Sequence, residues 1–313
     1  MIDEKKYLAS ILKHQRQAKA PKRWLWVIFL FYFVSIALSG ISIFFLHMAM
    51  SELTYSPEPL DPYYNQLSAL YFNLFLLIGL GLFVIVRYRQ IVDYARYFIS
   101  RHEHLLKEAK NVLSIYPILV ELASKLNVSP DILILPTPSK TIFPSLERYR
   151  QKEVLILPVG FVYFQFKNPE QGRFILAHEL SHIRQKDLQL FRQAEAYGKI
   201  LLPLILAIQV LSLILKAFFL GNDLMIIHKA SDLLISFGSE ALTIICVLVA
   251  AIEVRRVRLN SEELADRGAA LAVGAEPGIS LFEYLGESNP SDDKTHPSPD
   301  ERIKLLSKFL IGN

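Results

Sequence analysis

The chain has 313 residues, of which 52% are hydrophobic, and its formal net charge is only +4. With a mean hydropathy of +0.31, this composition excludes an ordinary soluble protein of this size and favours a membrane protein. The small positive charge, without a basic patch interleaved with aromatic residues, gives no indication of nucleic-acid binding.

Residues 1–86 predict a basic arm followed by two membrane-spanning helices. The arm, residues 1–23, carries seven lysines and arginines, which indicates a cytoplasmic N-terminus by the positive-inside rule. Residues 24–51 and 62–86 contain no formal charge, and each exceeds the about 20 apolar residues that a helix needs to cross a bilayer. The loop between them has no lysine or arginine and is expected outside. We expect the arm to be a solvated topology signal rather than a lipid-binding segment.

Two further spans are predicted, residues 200–220 and 233–252, each interrupted by one charged residue. If the two helices run antiparallel, Lys216 and Glu240 lie at similar depth and can form an ion pair. Alternatively, Lys216 extends alone to the outer interface and Glu240 faces a water-filled cavity, and the sequence favours neither arrangement. The lone cysteine, Cys246, lies in the fourth span, so the chain contains no intrachain disulfide.

Arginines follow the second and the fourth predicted spans, which places the segments after both spans in the cytoplasm. The prediction is an α-helical integral membrane protein with four transmembrane helices and a cytoplasmic α+β domain. Its parts are a basic arm (1–23), transmembrane helices 1 and 2 with a short outer loop (24–87), a first cytoplasmic part (88–198), transmembrane helices 3 and 4 (199–254) and a second cytoplasmic part (255–313).

The first cytoplasmic part contains two short β-type runs, Ile132–Leu135 and Val154–Leu157, each ended by a proline. The polar and basic segment between them, residues 137–151, is expected to form a loop or the tip of a hairpin. Before the first run, residues 117–126 predict a helix with proline in its first turn and leucines on one face.

The next predicted helix carries the residues with metal chemistry. It begins at Asn168-Pro169, with a glutamine placed to close a capping box, and contains the HExxH sequence HELSH. The spacing of four residues places His178 and His182 on one face, where both imidazoles can bind one metal ion. Glu179 lies about 100° around the helix, where its carboxylate can serve as general base toward a water on the metal. Zinc suits this role because it lowers the pKa of such a water to about 7.

A catalytic zinc ion also needs a third protein ligand and one open position. Glu262, which follows the fourth predicted span, is our candidate, and Asp266 one turn later could hydrogen-bond a ligand imidazole. Glu263 and the distant His296 are rival ligands that spacing alone does not exclude.

Three motifs in a fixed order resemble those of the integral-membrane zinc peptidases that include HtpX and the CAAX prenyl proteases. The matching residues are HELSH followed by Asp187 (HExxH-x4-D), Glu262 with Ala265-Asp266 (the third-ligand motif), and His296-Pro297 with Arg302-Ile303 (HP-x4-RI). The layout of four spans, with HExxH between the second and the third, is similar to HtpX rather than to the more heavily spanned CAAX enzymes. The chain differs from the family pattern at residues 140–144, which replace an Asn-Ala-Phe segment, and at Leu259, which replaces an arginine.

The resemblance implies a zincin-like metalloprotease domain of the gluzincin type with one Zn2+ per chain. Its metal ligands would be His178, His182 and Glu262. Asp266 and Asp187 would orient these ligands without binding the metal themselves.

The resemblance also implies that His296 and Arg302 stabilise the tetrahedral oxyanion; the alternative for these two is a plain helix start with a surface arginine. It further suggests that the run Val154–Leu157 is an edge strand, on which an extended substrate docks through backbone hydrogen bonds.

The function implied is a membrane-bound zinc endopeptidase that hydrolyses misfolded or membrane-associated proteins at the cytoplasmic face of the cell inner (plasma) membrane, in protein quality control. The expected partners are protein or peptide substrates and the lipid bilayer. Two other functions stay open. A CAAX-type prenyl-protein protease would prefer a prenylated peptide to casein, and a non-catalytic zinc-binding membrane scaffold would bind metal without cleaving protein.

Overall fold

The computed structural model describes residues 4–17, 86, 89, 93, 96–112, 114–186, 226–288 and 297–311. The chain divides into two units, one made of residues 1–20, 91–195 and 253–313 and the other of residues 21–90 and 196–252. The first unit contains the sheet and the predicted metal ligands. The described part of the second unit is helical.

The described residues of the first unit form a small mixed sheet. Its strands are β1 (Lys107–Glu108), β2 (Ile132–Thr137), β3 (Ser145–Tyr149) and β4 (Lys152–Pro158). Their spatial order is β1-β2-β4-β3. The central strands β2 and β4 run parallel, and the outer strands β1 and β3 pair antiparallel with their neighbours. The two β-type runs of the sequence are thus confirmed as strands.

The prediction that the run Val154–Leu157 is an edge strand is wrong. This run lies in β4, where Leu155 is opposite Ile134 of β2 and Leu146 of β3. Its backbone is therefore paired on both sides, and its apolar side chains are buried on both faces of the sheet, as is typical of a central strand. Among the described residues, the edge on this side is β3.

The edge strand β3 lies within the segment that was predicted as a loop or hairpin tip. Residues 138–144 of that segment are irregular, as predicted. The tip of the hairpin between β3 and β4 is Arg150-Gln151, and both residues have positive φ, 46° and 66°. Positive φ at both positions matches a two-residue hairpin turn, which usually contains asparagine, aspartate or glycine. The sequence gives no such signal here, because Arg and Gln are unusual at these positions.

Among the described residues, the helices with assigned bounds are α1 (Glu4–Gln17), α2 (Tyr116–Leu126), α3 (Val159–Lys167), α4 (Pro169–Gln185), α5 (Ile226–Val273), α6 (Glu276–Ser288) and α7 (Pro299–Ile311). Short 3-10 turns occur at Glu103–Leu105 and Ala109–Asn111. The predicted helix at 117–126 is confirmed by α2, which ends at Asn127 in the left-handed conformation.

Helices cover one face of the sheet and fix α4 in place. Leu146 and Leu155 of the sheet and Phe174 of α4 belong to one buried apolar cluster. A Cβ atom on Gly278 of α6 would lie only 2.4 Å from the Phe174 ring, so this glycine permits the close approach of α6 to α4. The opposite face of the sheet packs against a smaller cluster around Ile99.

The basic N-terminal arm is not simply a solvated segment. Residues 4–17 form α1, and its Tyr7, Ile11 and His14 are buried. These residues recur on one helical face, and two of them pack with Leu264 of α5. The described lysines of the arm, Lys5, Lys6 and Lys13, are exposed on the remaining faces of α1. The buried face of α1 provides a docking contact within the first unit.

The predicted membrane spans at 24–51, 62–86 and 200–220 lie outside the fully described residues, as does Lys216. The fourth predicted span, 233–252, falls within α5, and the side chain of Glu240 is not described. Among the described residues, no helix combines the length and the apolar character that crossing a membrane requires.

Candidate metal centre

Helix α4 carries the HExxH residues and begins where the sequence predicted. Pro169 occupies its first turn, although the Asn168 side chain makes no capping hydrogen bond, so the predicted capping box is not formed. The helix ends at Lys186, which has a left-handed conformation with φ 57°. Between these ends, His178 and His182 lie one turn apart and both are buried.

The two histidines and Glu262 of α5 come together in one cluster. Their potential ligand atoms all lie within 4.8 Å of one another. The Nε2 atoms of His178 and His182 are 3.3 Å apart, and His178 Nε2 is 3.4 Å from Glu262 Oε2. A zinc ion with bonds of roughly 2.0–2.1 Å in tetrahedral geometry separates its ligand atoms by about 3.3–3.4 Å. The described side chains therefore fit a zinc ion by donor type and by spacing.

The rival third ligands are placed differently. The carboxylate of Glu263, one residue after Glu262, forms an ion pair with Arg267 one turn further along α5. His296 lies outside the described residues, and so does Asp187. Of the candidates that the structure describes, only Glu262 joins the two histidines in the cluster.

Behind His178, Asp266 and Arg302 form a hydrogen-bonded chain. His178 Nδ1 donates to Asp266 Oδ1 at 2.9 Å, which leaves Nε2 facing His182 and Glu262. Arg302 of α7 donates to both carboxylate oxygens of Asp266, from Nε at 2.7 Å and from Nη2 at 2.5 Å. The Arg302 guanidinium also lies 4.0 Å from the centre of the Phe282 ring. A histidine that binds metal through one nitrogen is commonly oriented by a carboxylate at the other.

The charged groups around His178 keep Asp266 ionised and His178 protonated in the metal-free protein. Burial opposes the charge on Asp266, but Arg302 and the hydrogen bond from His178 lower the pKa of Asp266 below its ordinary value. Burial also opposes protonation of His178, yet the carboxylates of Asp266 and Glu262 raise the pKa of His178 to about 10. A metal ion must therefore displace a proton from His178 when it binds.

The carboxylate of Glu179 lies on the side of α4 that faces β3. Burial raises the pKa of Glu179, and the neighbouring His178 and His182 offset only part of this effect. The backbone N–H of Leu146 in β3 donates a hydrogen bond to the same carboxylate. A partly shielded carboxylate with a raised pKa is suited to accept and return a proton.

Two contacts of the site were not anticipated from the sequence. The Leu146 N–H reaches Glu179 only because β3 is folded beside α4, and the Phe282 ring supports Arg302 only because α6 packs against α7. Neither has a local sequence signal. The polar residues Ser261 and Gln185 are also buried near the centre, where Ser261 Oγ donates to Gln185 Oε1 at 3.2 Å.

Comparison with known proteins identifies the family to which this region is similar. Residues 161–310, just under half of the chain, match the model of peptidase family M48. The matched range includes His178, Glu179, His182, Glu262 and Arg302, so it supports a metallopeptidase. No curated protein and no solved structure matches the chain.

Proposed function

We propose that this chain, whose residues 161–310 match peptidase family M48, is a membrane-bound zinc endopeptidase of the HtpX-like type. Its substrates would be misfolded or membrane-associated proteins, cleaved at the cytoplasmic face in protein quality control. The observation that carries the proposal is the cluster of two imidazoles and one carboxylate at tetrahedral spacing, beside the half-buried carboxylate of Glu179. The order of the motifs along the chain adds support for the HtpX-like type.

The residues of the centre have distinct roles in this reaction. A zinc ion bound by His178, His182 and Glu262 would polarise the peptide carbonyl and make the attacking water more acidic. Glu179 accepts a proton from this water as the water oxygen attacks the carbonyl carbon. It then returns a proton to the leaving amine as the C–N bond breaks.

Arg302 and Asp266 are positioning residues in this proposal. Nε and Nη2 of the Arg302 guanidinium are bound to Asp266, and Asp266 accepts from the Nδ1 side of His178, away from the Nε2 atom that would bind the metal. These contacts support a role of Arg302 through His178, and its role in oxyanion stabilisation stays a prediction from the family resemblance. The part of His296 stays a prediction from the family resemblance.

The substrate would bind as an extended strand along β3 rather than along β4. Among the described strands, β3 is paired on one side only, and its Leu146 N–H already reaches Glu179. A peptide added to this edge would run past the catalytic carboxylate. Recognition through backbone hydrogen bonds requires little side-chain selectivity, which suits misfolded substrates.

The membrane location is supported by the uncharged segments at 24–51 and 62–86. It is also consistent with α5, where Ile245, Leu248 and Ile252 have more than half of their side-chain surface exposed within the fourth predicted span. Large apolar side chains at such exposure are expected where lipid replaces water. The lysines and arginines beside the spans favour a cytoplasmic active site.

Purified wild-type protein and Glu179→Gln should be compared for zinc content and for cleavage of casein, with and without a chelator. We expect the variant to keep its zinc, because the side chain is not a ligand, and to lose cleavage by at least about a hundredfold. Equal cleavage by the two proteins would refute the mechanism. Zinc without cleavage in the wild type would favour a scaffold, and preference for a prenylated peptide over casein would favour a CAAX-type protease.

A further inference from the structure

Helix α3 is apolar on its outer side as well as on its inner side. Its inner face buries Phe161 and Phe164. Its outer face carries Val159, Val162, Tyr163 and Phe166, which are 55%, 36%, 63% and 87% exposed. The spacing of three and four residues places these four side chains on one stripe.

Such a stripe is unusual for a helix at a water-facing surface. A surface helix normally turns a polar face outward, and a helix that is apolar all round is normally buried. The stripe contains no charged side chain, and its most exposed member is a phenylalanine. The outer face of α3 therefore has the character of a contact surface.

Two lysines belong to the surroundings of this stripe, Lys167 on α3 itself and Lys140 on the loop that packs on α3. At the C-terminal end, Lys167 Nζ lies 4.7 Å from the centre of the Tyr163 ring. At the N-terminal end, a Cβ atom on Gly160 would lie 2.2 Å from the backbone oxygen of Lys140, so the loop that bears the exposed Lys140 packs directly on α3. Aromatic side chains with lysines at their margins are typical of helices at the boundary between lipid and water.

The chain also connects this surface closely to a predicted membrane span. The loop that packs on Gly160 includes Phe143, and Phe143 and Phe98 line the same groove. Phe98 follows Val86, the last residue of the second predicted span, by 12 residues. Only a short stretch of chain thus separates the end of the predicted span from a residue that lines a groove beside the loop packed on α3.

We propose that the outer face of α3 lies against the surface of a lipid bilayer, with its apolar stripe among the upper acyl chains and Lys140 and Lys167 in the layer of anionic headgroups. This inference rests on the membrane location proposed above and adds a second, peripheral contact to it. The contact would hold the catalytic unit at a fixed orientation to the membrane, next to substrates that emerge from it.

The test is site-directed spin labelling of the full chain, reconstituted in vesicles that contain anionic lipid. The lone Cys246 is replaced by alanine, and single cysteines are introduced by Phe166→Cys, Tyr163→Cys and Ser124→Cys. Ser124 is an exposed residue of α2 and serves as the matched control. For each label, electron paramagnetic resonance measures accessibility to oxygen, which concentrates in lipid, and to a water-soluble nickel complex.

We expect the ratio of oxygen to nickel accessibility at 166 and 163 to be several-fold higher than at 124. We also expect this difference to shrink in the same anionic vesicles when Lys140 and Lys167 are both changed to glutamine. A ratio at 166 and 163 equal to that at 124 overturns the inference. Dipolar broadening between labels at 166 overturns it too, because the surface would then bind a second copy of the chain.

A fourth label, Ile245→Cys, separates this inference from the membrane location itself. A lipid-exposed label at 245 with water-exposed labels at 166 and 163 refutes only the contact of α3. Water-exposed labels at all three positions refute the membrane location and the contact together. Zinc content and casein cleavage of each variant verify that the fold and the catalytic centre are retained.

Discussion

Helix α5 contains two stretches with opposite arrangements of side chains. Between residues 245 and 252, its large apolar side chains Ile245, Leu248 and Ile252 are exposed. Between residues 261 and 266, its polar side chains Ser261, Glu262 and Asp266 are buried. Burial of polar groups is costly unless each has a partner. Here Ser261 is bound to Gln185, and Asp266 is bound to His178 and Arg302. The first stretch is suited to apolar surroundings, whereas the second holds side chains of the candidate metal centre. Substitutions in the two stretches should therefore differ strongly in their effects on zinc content, cleavage and stability.

The largest effect is expected from Glu262→Ala in the buried stretch. Loss of one of three protein ligands should remove zinc from the purified protein and abolish cleavage. The matched control is Glu263→Ala, because Glu263 is bound to Arg267 and not to the cluster. Zinc content by elemental analysis and casein cleavage measure both. Zinc retained by Glu262→Ala and lost by Glu263→Ala would reverse the ligand assignment.

A smaller loss is expected from Asp266→Asn, which keeps the shape of the side chain but removes the charge that Arg302 and His178 contact. Loss of such a supporting carboxylate typically weakens metal binding by about 10–100-fold. Competition for zinc with a chromophoric chelator at constant pH provides the affinity. An affinity equal to that of wild type would show that Asp266 does not orient the ligand.

A moderate effect on stability is expected from Gly268→Ala, just after the buried polar stretch. Alanine normally favours a helix over glycine by about 1 kcal/mol, but this Cβ would lie 2.3 Å from Ser181 Oγ and 2.4 Å from the Tyr7 hydroxyl. We expect a net loss of about 1–3 kcal/mol in the free energy of unfolding, through displacement of α1 or α4. Gly286→Ala is the control, since its Cβ meets no atom closer than 3.9 Å. Denaturant unfolding in detergent measures both, and a stabilised Gly268→Ala would contradict the close packing.

The smallest effect is expected from Leu248→Ser in the exposed apolar stretch. Substitutions at exposed positions change the free energy of unfolding by roughly 0.5 kcal/mol or less. Zinc content and cleavage should be unchanged, because Leu248 has no role in the centre. Thermal unfolding in detergent provides the comparison. A loss as large as that of Gly268→Ala would mean that Leu248 is packed in the folded protein.

The sequence predicted the parts of the centre that depend on local spacing. His178 and His182 are four residues apart on one helix, so a helical period suffices to bring them together. Glu262 was preferred over Glu263 and His296 from its position after the fourth predicted span and from Asp266 one turn later, and the family resemblance strengthened this choice. Spacing alone left the rivals open, because helical spacing within one segment contains no information about distance to another. The same limit explains the error at β4. Its apolar run identified a strand but not its neighbours, and the partner β3, with Ser145, Glu147 and Arg148, lacks a clear β pattern.

The docked face of α1 was missed for a related reason. The lysines of the arm are a strong signal for membrane topology, and they obscured the period of Tyr7, Ile11 and His14. These three residues are buried only because α5 and α4 provide a surface for them. Contacts of this kind depend on chain segments more than 150 residues away, which no local pattern specifies.

The separation of the ligands along the chain also sets the order in which activity can arise during synthesis. His178 and His182 leave the ribosome 80 or more residues before Glu262. Asp266 and Arg302, which orient His178, follow later still. A nascent chain therefore holds only two of the three protein ligands until Glu262 has been made. In the proposed function, cleavage of other polypeptides would therefore begin only after this part of the chain has been synthesised.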